Sequence, residues 1–335
     1  MTAEMFKSKK WGVFCHYLDV LQNGTCSKNT RGAVTSWDEC VEDFDCERLA
    51  SQLSEIGAGY FFITMQQGTR HFIAPNSTLA ELTGLKDACS RRDLVLDLSR
   101  ELGKRGISLF LYYTGDGMGR DPDSTVAERF GYTGGAGGEI DTDLVRFWSK
   151  PLKEYAERYG DIVSGWWFDG VYKDIGYDAL RLGIMLDAAK SGNPDALIAN
   201  NYYGCLRSGT AVETSFDNGS YLKADFYQTV APPTPFCDFT AGELVYFNAF
   251  PDPDREWNAL PHVLSFLGIP ERPWEVYNAW SAPGCKYSPE YLAAYIKSFN
   301  KMGGVVTVDM CLNRDGSLDD WQLRVMESAA KMIFL

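Results

Sequence analysis

Short apolar runs alternate with amphipathic segments along most of the chain. The apolar runs, rich in aromatic and β-branched residues, predict buried strands at 11–16, 59–65, 107–114, 164–171, 196–201 and 305–309. The amphipathic segments predict helices at 46–56, 92–105, 142–159, 177–190, 289–302 and 319–334. In the second of these, Leu94, Leu98 and Leu102 recur at four-residue spacing on one face.

The alternation breaks down between residues 202 and 272, which contain several prolines and many aromatics. We interpret this stretch as active-site loops with one strand near 222–228, and we place a further strand at 274–279. About eight strands then alternate with helices, a pattern typical of a closed (β/α)₈ TIM-like barrel. The last helix ends the chain, so residues 1–335 are predicted to form one catalytic domain without an appended sandwich domain.

Charge and composition exclude several classes of partner. The net charge is -13, from 45 acidic and 32 basic residues with no basic cluster, which argues against nucleic acid and anionic membranes as partners. Nine cysteines without a CxxC pair, and no apolar signal region, favour a cytoplasmic location. The three histidines lack metal-ligand spacing, and the glycine-rich stretch 134–138 follows no strand, so neither a metal nor a cofactor is predicted.

The run Ser164-Gly165-Trp166-Trp167-Phe168-Asp169-Gly170-Val171 ends abruptly in a carboxylate. A charge cannot stay unpaired in the core, so Asp169 should emerge at the carboxyl end of its strand, where α/β folds place their chemistry. An aspartate that caps the following helix would give the same pattern, so both interpretations stay open at this point.

The other predicted strand ends carry acids, amides and aromatics but few bases. They comprise His16, Gln66, Gln67, Tyr112, Asn201, Glu275 and Asp309. Amide and carboxylate groups can hold sugar hydroxyls, aromatic rings pack against the C–H face of a sugar, and two carboxyls can cleave a glycosidic bond. Because Gln66 and Gln67 alternate along a strand, at most one should point inward. Asp309 and Asp315 are better explained as loop or cap residues.

Several of these segments, taken in order, resemble the α-L-fucosidases of glycoside hydrolase family 29. They are Trp11-Gly12-Val13-Phe14-Cys15-His16-Tyr17, the strand at 57–64, Arg92-Asp93-Leu94-Val95 with 106–113, Trp167-Phe168-Asp169-Gly170, Trp274-Glu275, and 303–308. The similarity spans about residues 10 to 333. It implies a (β/α)₈ barrel, a retaining mechanism and no metal.

The resemblance also implies roles for individual residues. Asp169 matches the nucleophile, and His16 matches a sugar-binding histidine. The segment Cys237-Asp238-Phe239-Thr240-Ala241-Gly242-Glu243 looks most like the one that carries the general acid, so Glu243 is the first candidate and Glu213 and Glu275 are alternatives. The predicted substrate-binding residues are His16, Trp37, Gln66, Gln67, Tyr112, Trp167, Asn201, Glu275 and Trp280.

The sequence departs from the family at the end of the second strand. The family usually has a His-His pair there that binds sugar hydroxyls, whereas this chain has Gln66-Gln67. The prediction is therefore a retaining exo-acting glycosidase for an α-L-fucoside or a similarly shaped glycoside. A glycosidase for another sugar, such as an α-L-arabinopyranoside or a galactoside-like ring, and a catalytically silent carbohydrate-binding barrel are the alternatives. The oligomeric state is not predicted.

Overall fold

The structure is a computed structural model that describes residues 1–23, 34–131, 139–202, 236–251, 259–271 and 279–334. The predicted strand at 222–228 lies outside the described residues, as does 274–279 apart from its last residue. Two candidate acids, Glu213 and Glu275, also lie outside them.

Seven parallel strands form one curled sheet in the order β5-β4-β3-β2-β1-β7-β6. The strands are β1 (Trp11–Cys15), β2 (Tyr60–Thr64), β3 (Ser108–Thr114), β4 (Gly165–Asp169), β5 (Leu197–Asn200), β6 (His262–Phe266) and β7 (Val305–Asp309). Six of them confirm strands predicted from the apolar runs. Because all seven are parallel, their carboxyl ends lie at one edge of the sheet.

Helices precede, connect or follow the strands, and most of them cover the outer face of the sheet. They are α1 (Ala3–Ser8), α2 (Asp19–Gln22), α3 (Trp37–Glu42), α4 (Cys46–Glu55), α5 (Ser77–Thr83), α6 (Leu94–Gly103), α7 (Ser124–Phe130), α8 (Thr142–Tyr159), α9 (Ala179–Ala189), α10 (Pro289–Lys301) and α11 (Asp320–Ile333). Aspartate or serine N-caps begin many of them, as Asp93 does for α6 by accepting from Leu96 N. Among the described helices, none is both long and apolar enough to cross a bilayer.

Strand β6 corrects the prediction that residues 202–272 contain only loops and one strand near 222–228. The sequence pattern hid this strand, since Pro261 precedes it and the polar residues His262 and Ser265 interrupt its apolar run. His262 is buried inside the sheet, where its ring nitrogens bond to Thr240 O at 2.8 Å and to Thr307 Oγ1 at 2.7 Å. These partners satisfy a polar side chain that a hydrophobic pattern cannot anticipate.

Residues 238–244 lie between the two edge strands β5 and β6. The amide of Asp238 donates to Ile198 O of β5 at 2.8 Å. On the other side, Leu244 N donates to Leu264 O of β6, and Leu264 N donates to Gly242 O, both at 2.8 Å. The 238–244 segment is therefore hydrogen-bonded to both edges of the curled sheet.

Two apolar clusters lie on opposite sides of the sheet. Alternate strand residues point to the helices and form the larger cluster, which includes Trp166 and Phe168. The others form a smaller inner cluster of Phe6, Phe14, Tyr60, Phe62, Phe110, Tyr112, Trp167, Leu197, Ala199, Phe239, Ala241, Leu264 and Val305. Phe6 of α1 packs against Tyr60 and Phe110, with ring centroids 4.7 and 4.9 Å apart. It fills the inner cluster at the amino end of the strands, opposite the edge that carries Asp169.

Candidate active site

A cavity of about 260 Å³ lies at the carboxyl ends of the strands. Its lining residues are Phe14, His16, Leu18, Val20, Leu21, Gln67, Tyr112, Trp167, Asp169, Glu243, Leu264, Trp280 and Ser281. Seven residues of this set were predicted as catalytic or substrate-binding, although they come from distant parts of the chain. The parallel strands bring several of them to one place, since His16 follows β1 and Asp169 ends β4, while Tyr112 and Trp167 lie two residues before the ends of β3 and β4.

Asp169 is the last residue of β4, and three side chains donate hydrogen bonds to its carboxylate. Tyr112 OH bonds to Oδ2 at 2.7 Å, Tyr172 OH bonds to Oδ1 at 2.5 Å, and Asn201 Nδ2 bonds to Oδ1 at 3.1 Å. Bonds from three donors stabilise the charged carboxylate and fix its orientation towards the cavity. Asp169 accepts no bond from a following helix, so the helix-cap interpretation is not supported among the described residues.

Burial keeps both tyrosine donors protonated. Tyr112 and Tyr172 are 2 % and 8 % exposed. Desolvation raises the pKa of each phenol well above its ordinary value, and the negative charge of Asp169 raises it further. Each hydroxyl is therefore protonated near neutral pH and can donate to Asp169. Tyr172 was not predicted, because it follows β4 by three residues and belongs to no periodic pattern.

Asn201 connects Asp169 to the second carboxylate of the cavity. Its Nδ2 donates to Glu243 Oε2 at 2.6 Å as well as to Asp169 Oδ1 at 3.1 Å. Two oxygens bonded to one nitrogen cannot be farther apart than the sum of those lengths, about 5.7 Å. Asn201 itself is 1 % exposed and does not line the cavity. The structure therefore places Asn201, predicted to bind substrate, between the two carboxylates.

Glu243 reaches this position because the 238–244 segment is held against β6, next to Leu264. It lines the cavity together with Asp169. Glu213 and Glu275, the alternatives for the same role, lie outside the described residues.

His16 follows β1 and is held by a buried aspartate. Its Nδ1 lies 2.9 Å from Asp309 Oδ2, and Asp309 Oδ1 accepts from Ser281 N at 2.7 Å. A neutral His16 therefore carries its proton on Nδ1, and Nε2 is the nitrogen left for the cavity. The interpretation of Asp309 as a loop or cap residue is wrong, since it ends β7 and is 1 % exposed. An apolar run ending in aspartate, as at Asp169, was the signal that could have indicated this role.

Aromatic rings form two walls of the cavity. Tyr112 and Trp167 are stacked, with centroids 5.4 Å apart and an interplanar angle of 17°. Trp167 Nε1 donates to Ala241 O at 3.2 Å, which ties the ring to the 238–244 segment. Trp280 lies on another side, 6.1 Å from the ring of His16. Such faces suit the apolar side of a sugar ring.

The two glutamines have different surroundings. Gln67 lines the cavity, whereas Gln66 is 1 % exposed and does not. Gln66 Nε2 donates to Thr114 Oγ1 at 2.6 Å, and its Oε1 has no hydrogen-bond partner among the described residues. Of the predicted pair, only Gln67 is placed to contact a ligand directly.

Trp37 is placed away from the cavity. It is 6 % exposed within the outer cluster, and its Nε1 donates to Phe72 O at 2.8 Å. Its predicted role in binding substrate is not supported, because packing in the outer cluster and this hydrogen bond account for the side chain. In the part of the chain that the structure describes, no group of histidine, cysteine or acidic residues is arranged to hold a metal ion.

No family model matches, and no curated protein matches. Among solved structures, an endo-fucoidan hydrolase from glycoside hydrolase family 107 is similar with a TM-score of 0.69 and 16% identity, over 99% of this chain and 93% of that one. A second enzyme of that description gives a TM-score of 0.68 at 16% identity over 98% of this chain and 53% of its own.

An α-L-fucosidase of glycoside hydrolase family 29 from Bacteroides thetaiotaomicron is also similar. Its TM-score is 0.63 at 16% identity, over 99% of this chain and 73% of that one. The resemblance to family 29 inferred from the sequence is therefore confirmed at the level of the fold.

Proposed function

We propose that this protein is a retaining, exo-acting glycoside hydrolase for an α-L-fucoside or a similarly shaped glycoside. Its single catalytic domain is a (β/α)₈ barrel in which the 238–244 segment stands in the place of an eighth strand between β5 and β6. The hydrogen bonds of that segment to Ile198 and Leu264 support this closure.

The separation of Asp169 and Glu243 carries the proposal. Retaining glycosidases place their two carboxyl groups about 5–5.5 Å apart, whereas inverting enzymes leave about 6.5–9.5 Å for a water molecule. The upper bound of about 5.7 Å between Asp169 Oδ1 and Glu243 Oε2 fits the retaining geometry. Both residues face one cavity with aromatic walls, as a sugar site requires.

In the first step, an oxygen of Asp169 attacks the anomeric carbon. The bond to the aglycone oxygen breaks, its electron pair stays on that oxygen, and Glu243 supplies the proton. Glu243 can carry this proton on Oε1 while Oε2 still accepts from Asn201. The three donors to Asp169 hold its oxygens in place for the attack, which lowers the entropy cost of reaching the reactive geometry.

In the second step, Glu243 acts as a base. It takes a proton from water, the water oxygen bonds to the anomeric carbon, and the bond to Asp169 breaks with its electrons returning to the carboxylate. The hydrogen bonds from Tyr112 and Tyr172 stabilise the charge that reappears on Asp169. Two inversions at one carbon give net retention.

Two observations support the proposed substrate: the residues that line the cavity, and the descriptions of solved structures with a similar fold. Solved structures with this fold include proteins described as α-L-fucosidases and as endo-fucoidan hydrolases. His16 Nε2 and the amide of Gln67 provide hydrogen-bonding groups for sugar hydroxyls, and Trp167 and Trp280 provide apolar faces. Gln67 stands where family 29 has a histidine, so a related sugar remains a specific alternative.

The test is a screen of nitrophenyl glycosides, including α-L-fucoside, α-L-arabinopyranoside and β-D-galactoside, combined with two variants. Asp169→Gly should remove nearly all turnover, and azide should restore part of it by attacking the open face of the sugar. Glu243→Ala should retain activity on substrates with activated leaving groups. NMR of the first product should show retention. Inversion, or sugar binding without turnover by the wild-type protein, would contradict the proposal.

A further inference from the structure

Lys286 is a half-buried cation whose ammonium group reaches back towards the cavity. Its Nζ donates to Val245 O at 2.7 Å and lies 3.4 Å from the centroid of the Phe266 ring. Within the described ranges, no carboxylate lies within ion-pair distance of it. Burial removes water from the ammonium group and lowers the pKa of Lys286 to about 7.

Val245 lies two residues after Glu243, in a stretch of chain (residues 243–249, the acid segment) with little regular structure. Neighbouring side chains hold this segment. Phe247 N donates to Tyr287 OH at 2.9 Å, and Tyr291 OH donates to Phe247 O at 2.5 Å. Of the side chains from 286–291 that bond to this segment, Lys286 bonds at the residue closest in sequence to Glu243, and its own amide donates to Leu267 O just after β6 at 2.9 Å.

Lys286 is also linked to a residue of the cavity through Phe266. The Phe266 ring packs edge-on against Trp280 with centroids 4.9 Å apart, and Trp280 lines the cavity beside His16. One ammonium group therefore touches both the acid segment and the ring that supports Trp280.

A lysine is a costly residue for this position if it served only to fill space. Burying a charge without a carboxylate partner is unfavourable, and an apolar side chain of similar length would pack at lower cost. What lysine adds is an N–H directed at one backbone carbonyl and a cation against a ring face. The hydrogen bond fixes the chain that follows Glu243, and the ring contact fixes the lysine against β6.

We propose that Lys286 is a positioning residue for the proton donor: its ammonium group holds the acid segment against β6 so that the Glu243 carboxyl faces the glycosidic oxygen. This inference rests on the proposed function. It predicts that loss of Lys286 impairs proton donation more than it impairs sugar binding or attack by Asp169.

The experiment compares Lys286→Met with the wild-type protein on aryl glycosides of the accepted sugar. General acid catalysis contributes about 10²–10⁴-fold, so partial misplacement of the donor should cost about tenfold or more in kcat/KM for a phenyl glycoside. The dinitrophenyl glycoside needs little protonation and should change less than about twofold. Lys297→Met is the matched control. Lys297 lies on α10 and does not line the cavity, and its Nζ also donates to a backbone carbonyl, Met332 O, at 3.1 Å.

A second readout is independent of activity. Hydrogen exchange of a peptide covering residues 243–249 should be faster in Lys286→Met, and Lys297→Met should leave it unchanged. Equal losses on both glycosides, or unchanged exchange in the acid segment, would overturn the role of Lys286 while leaving the proposed function intact. No turnover of any glycoside by the wild-type protein would instead remove the proposed function and, with it, this role.

Discussion

His16 and Asp309 are 293 positions apart in the chain, yet His16 Nδ1 lies 2.9 Å from Asp309 Oδ2. Both are buried, and strands β1 and β7 are paired directly beside each other, with Phe14 opposite Asp309 in the register. The carboxylate fixes the ring and places the proton of a neutral His16 on Nδ1. His16 can then accept a hydrogen bond from a sugar hydroxyl through Nε2.

The Asp309→Asn variant should reverse the tautomer of His16. The asparagine amide can donate to Nδ1, which leaves the proton on Nε2 and turns the cavity-facing nitrogen from acceptor to donor. A mismatch of one buried hydrogen bond costs about 1–3 kcal/mol, so kcat/KM should fall about 5- to 150-fold. The ¹⁵N shifts of the imidazole nitrogens report the tautomer directly.

His262 provides an internal reference for that measurement. Its ring is buried among Thr240 and Thr307 and has no contact with Asp309. Its ¹⁵N shifts should be the same in both proteins. Unchanged His16 shifts in Asp309→Asn would show that the aspartate does not set the tautomer.

The amide of Asn201 should be essential for holding the two carboxylates together. Asn201→Leu removes the donor that Asp169 and Glu243 share and leaves the two carboxyl groups without their common partner. Hydrogen bonds to charged groups contribute about 1.5–3 kcal/mol, so kcat should fall at least about tenfold. Asn200→Ala is the control at the neighbouring position, since Asn200 bonds to Cys237 Sγ and to neither carboxylate. Equal kinetics for Asn201→Leu and the wild type would contradict the bridging role.

The hydroxyl of Tyr172 should support Asp169 in its proposed role as nucleophile, although no sequence pattern indicated Tyr172. Tyr172→Phe removes the 2.5 Å bond to Asp169 Oδ1 and keeps the ring. We expect a loss of about 10- to 100-fold in kcat, from the usual value of a hydrogen bond to a charged group. Tyr177→Phe removes the hydroxyl of another buried tyrosine, one that donates to Gly115 O at 2.6 Å instead. Tyr177→Phe should lower the melting temperature with little effect on kcat. A similar loss of kcat in both variants would show that the loss comes from reduced stability of the fold and not from the bond to Asp169.

Acid should destabilise the protein through His262. Burial lowers the pKa of His262 from 6.5 to about 4, so the folded state disfavours its protonation. The unfolded chain binds this proton more readily, and stability is therefore lost as the pH falls from 6.5 towards 4. At 1.36 kcal/mol per pKa unit the loss is about 3 kcal/mol. Chemical denaturation at pH 7 and pH 4 should show this difference in the wild type and a smaller one in His262→Gln. Equal differences would exclude His262 as the cause.

The frame of the fold could be predicted from the sequence because its strands and helices obey local periodicity. Six strands were found in this way, and Asp169 was placed at the end of β4 from the abrupt end of an apolar run. Strand β6 was missed because His262 and Ser265 break its hydrophobic pattern. Their polar groups find partners only through contacts with distant strands.

The site could be predicted only in outline. The strand-end rule gathers His16, Asp169 and Gln67 at one edge, but it does not say which of two neighbours points inward. The positions of Gln66, Trp37 and Asp309 could not be predicted correctly, because their surroundings depend on how helices, strands and loops pack together. The bridge made by Asn201 depends on where the 238–244 segment lies, which no local pattern encodes.

The glutamine pair gives the last prediction. Gln67 lines the cavity, and the amide offers an acceptor and donors that do not titrate near neutral pH, unlike the histidine that family 29 usually has there. A substrate whose hydroxyls do not match this pattern leaves buried polar groups unpaired, at about 1–3 kcal/mol each. We therefore expect weak hydrolysis of simple aryl α-L-fucosides and better hydrolysis of a related sugar or a natural glycoside.

Gln67→His should move this preference towards the aryl α-L-fucoside. The ratio of kcat/KM for the aryl α-L-fucoside to kcat/KM for the preferred glycoside should rise about tenfold. Gln66→His is the matched control. Its side chain is buried against Thr114 and does not line the cavity, so this change should lower the melting temperature and leave the ratio unchanged. If Gln66→His shifts the ratio and Gln67→His does not, the buried Gln66 determines the sugar preference. Its Oε1, which has no hydrogen-bond partner among the described residues, would then be the atom that binds a sugar hydroxyl. If neither variant shifts it, the pair does not set specificity, and the aromatic walls at Trp167 and Trp280 become the residues to vary.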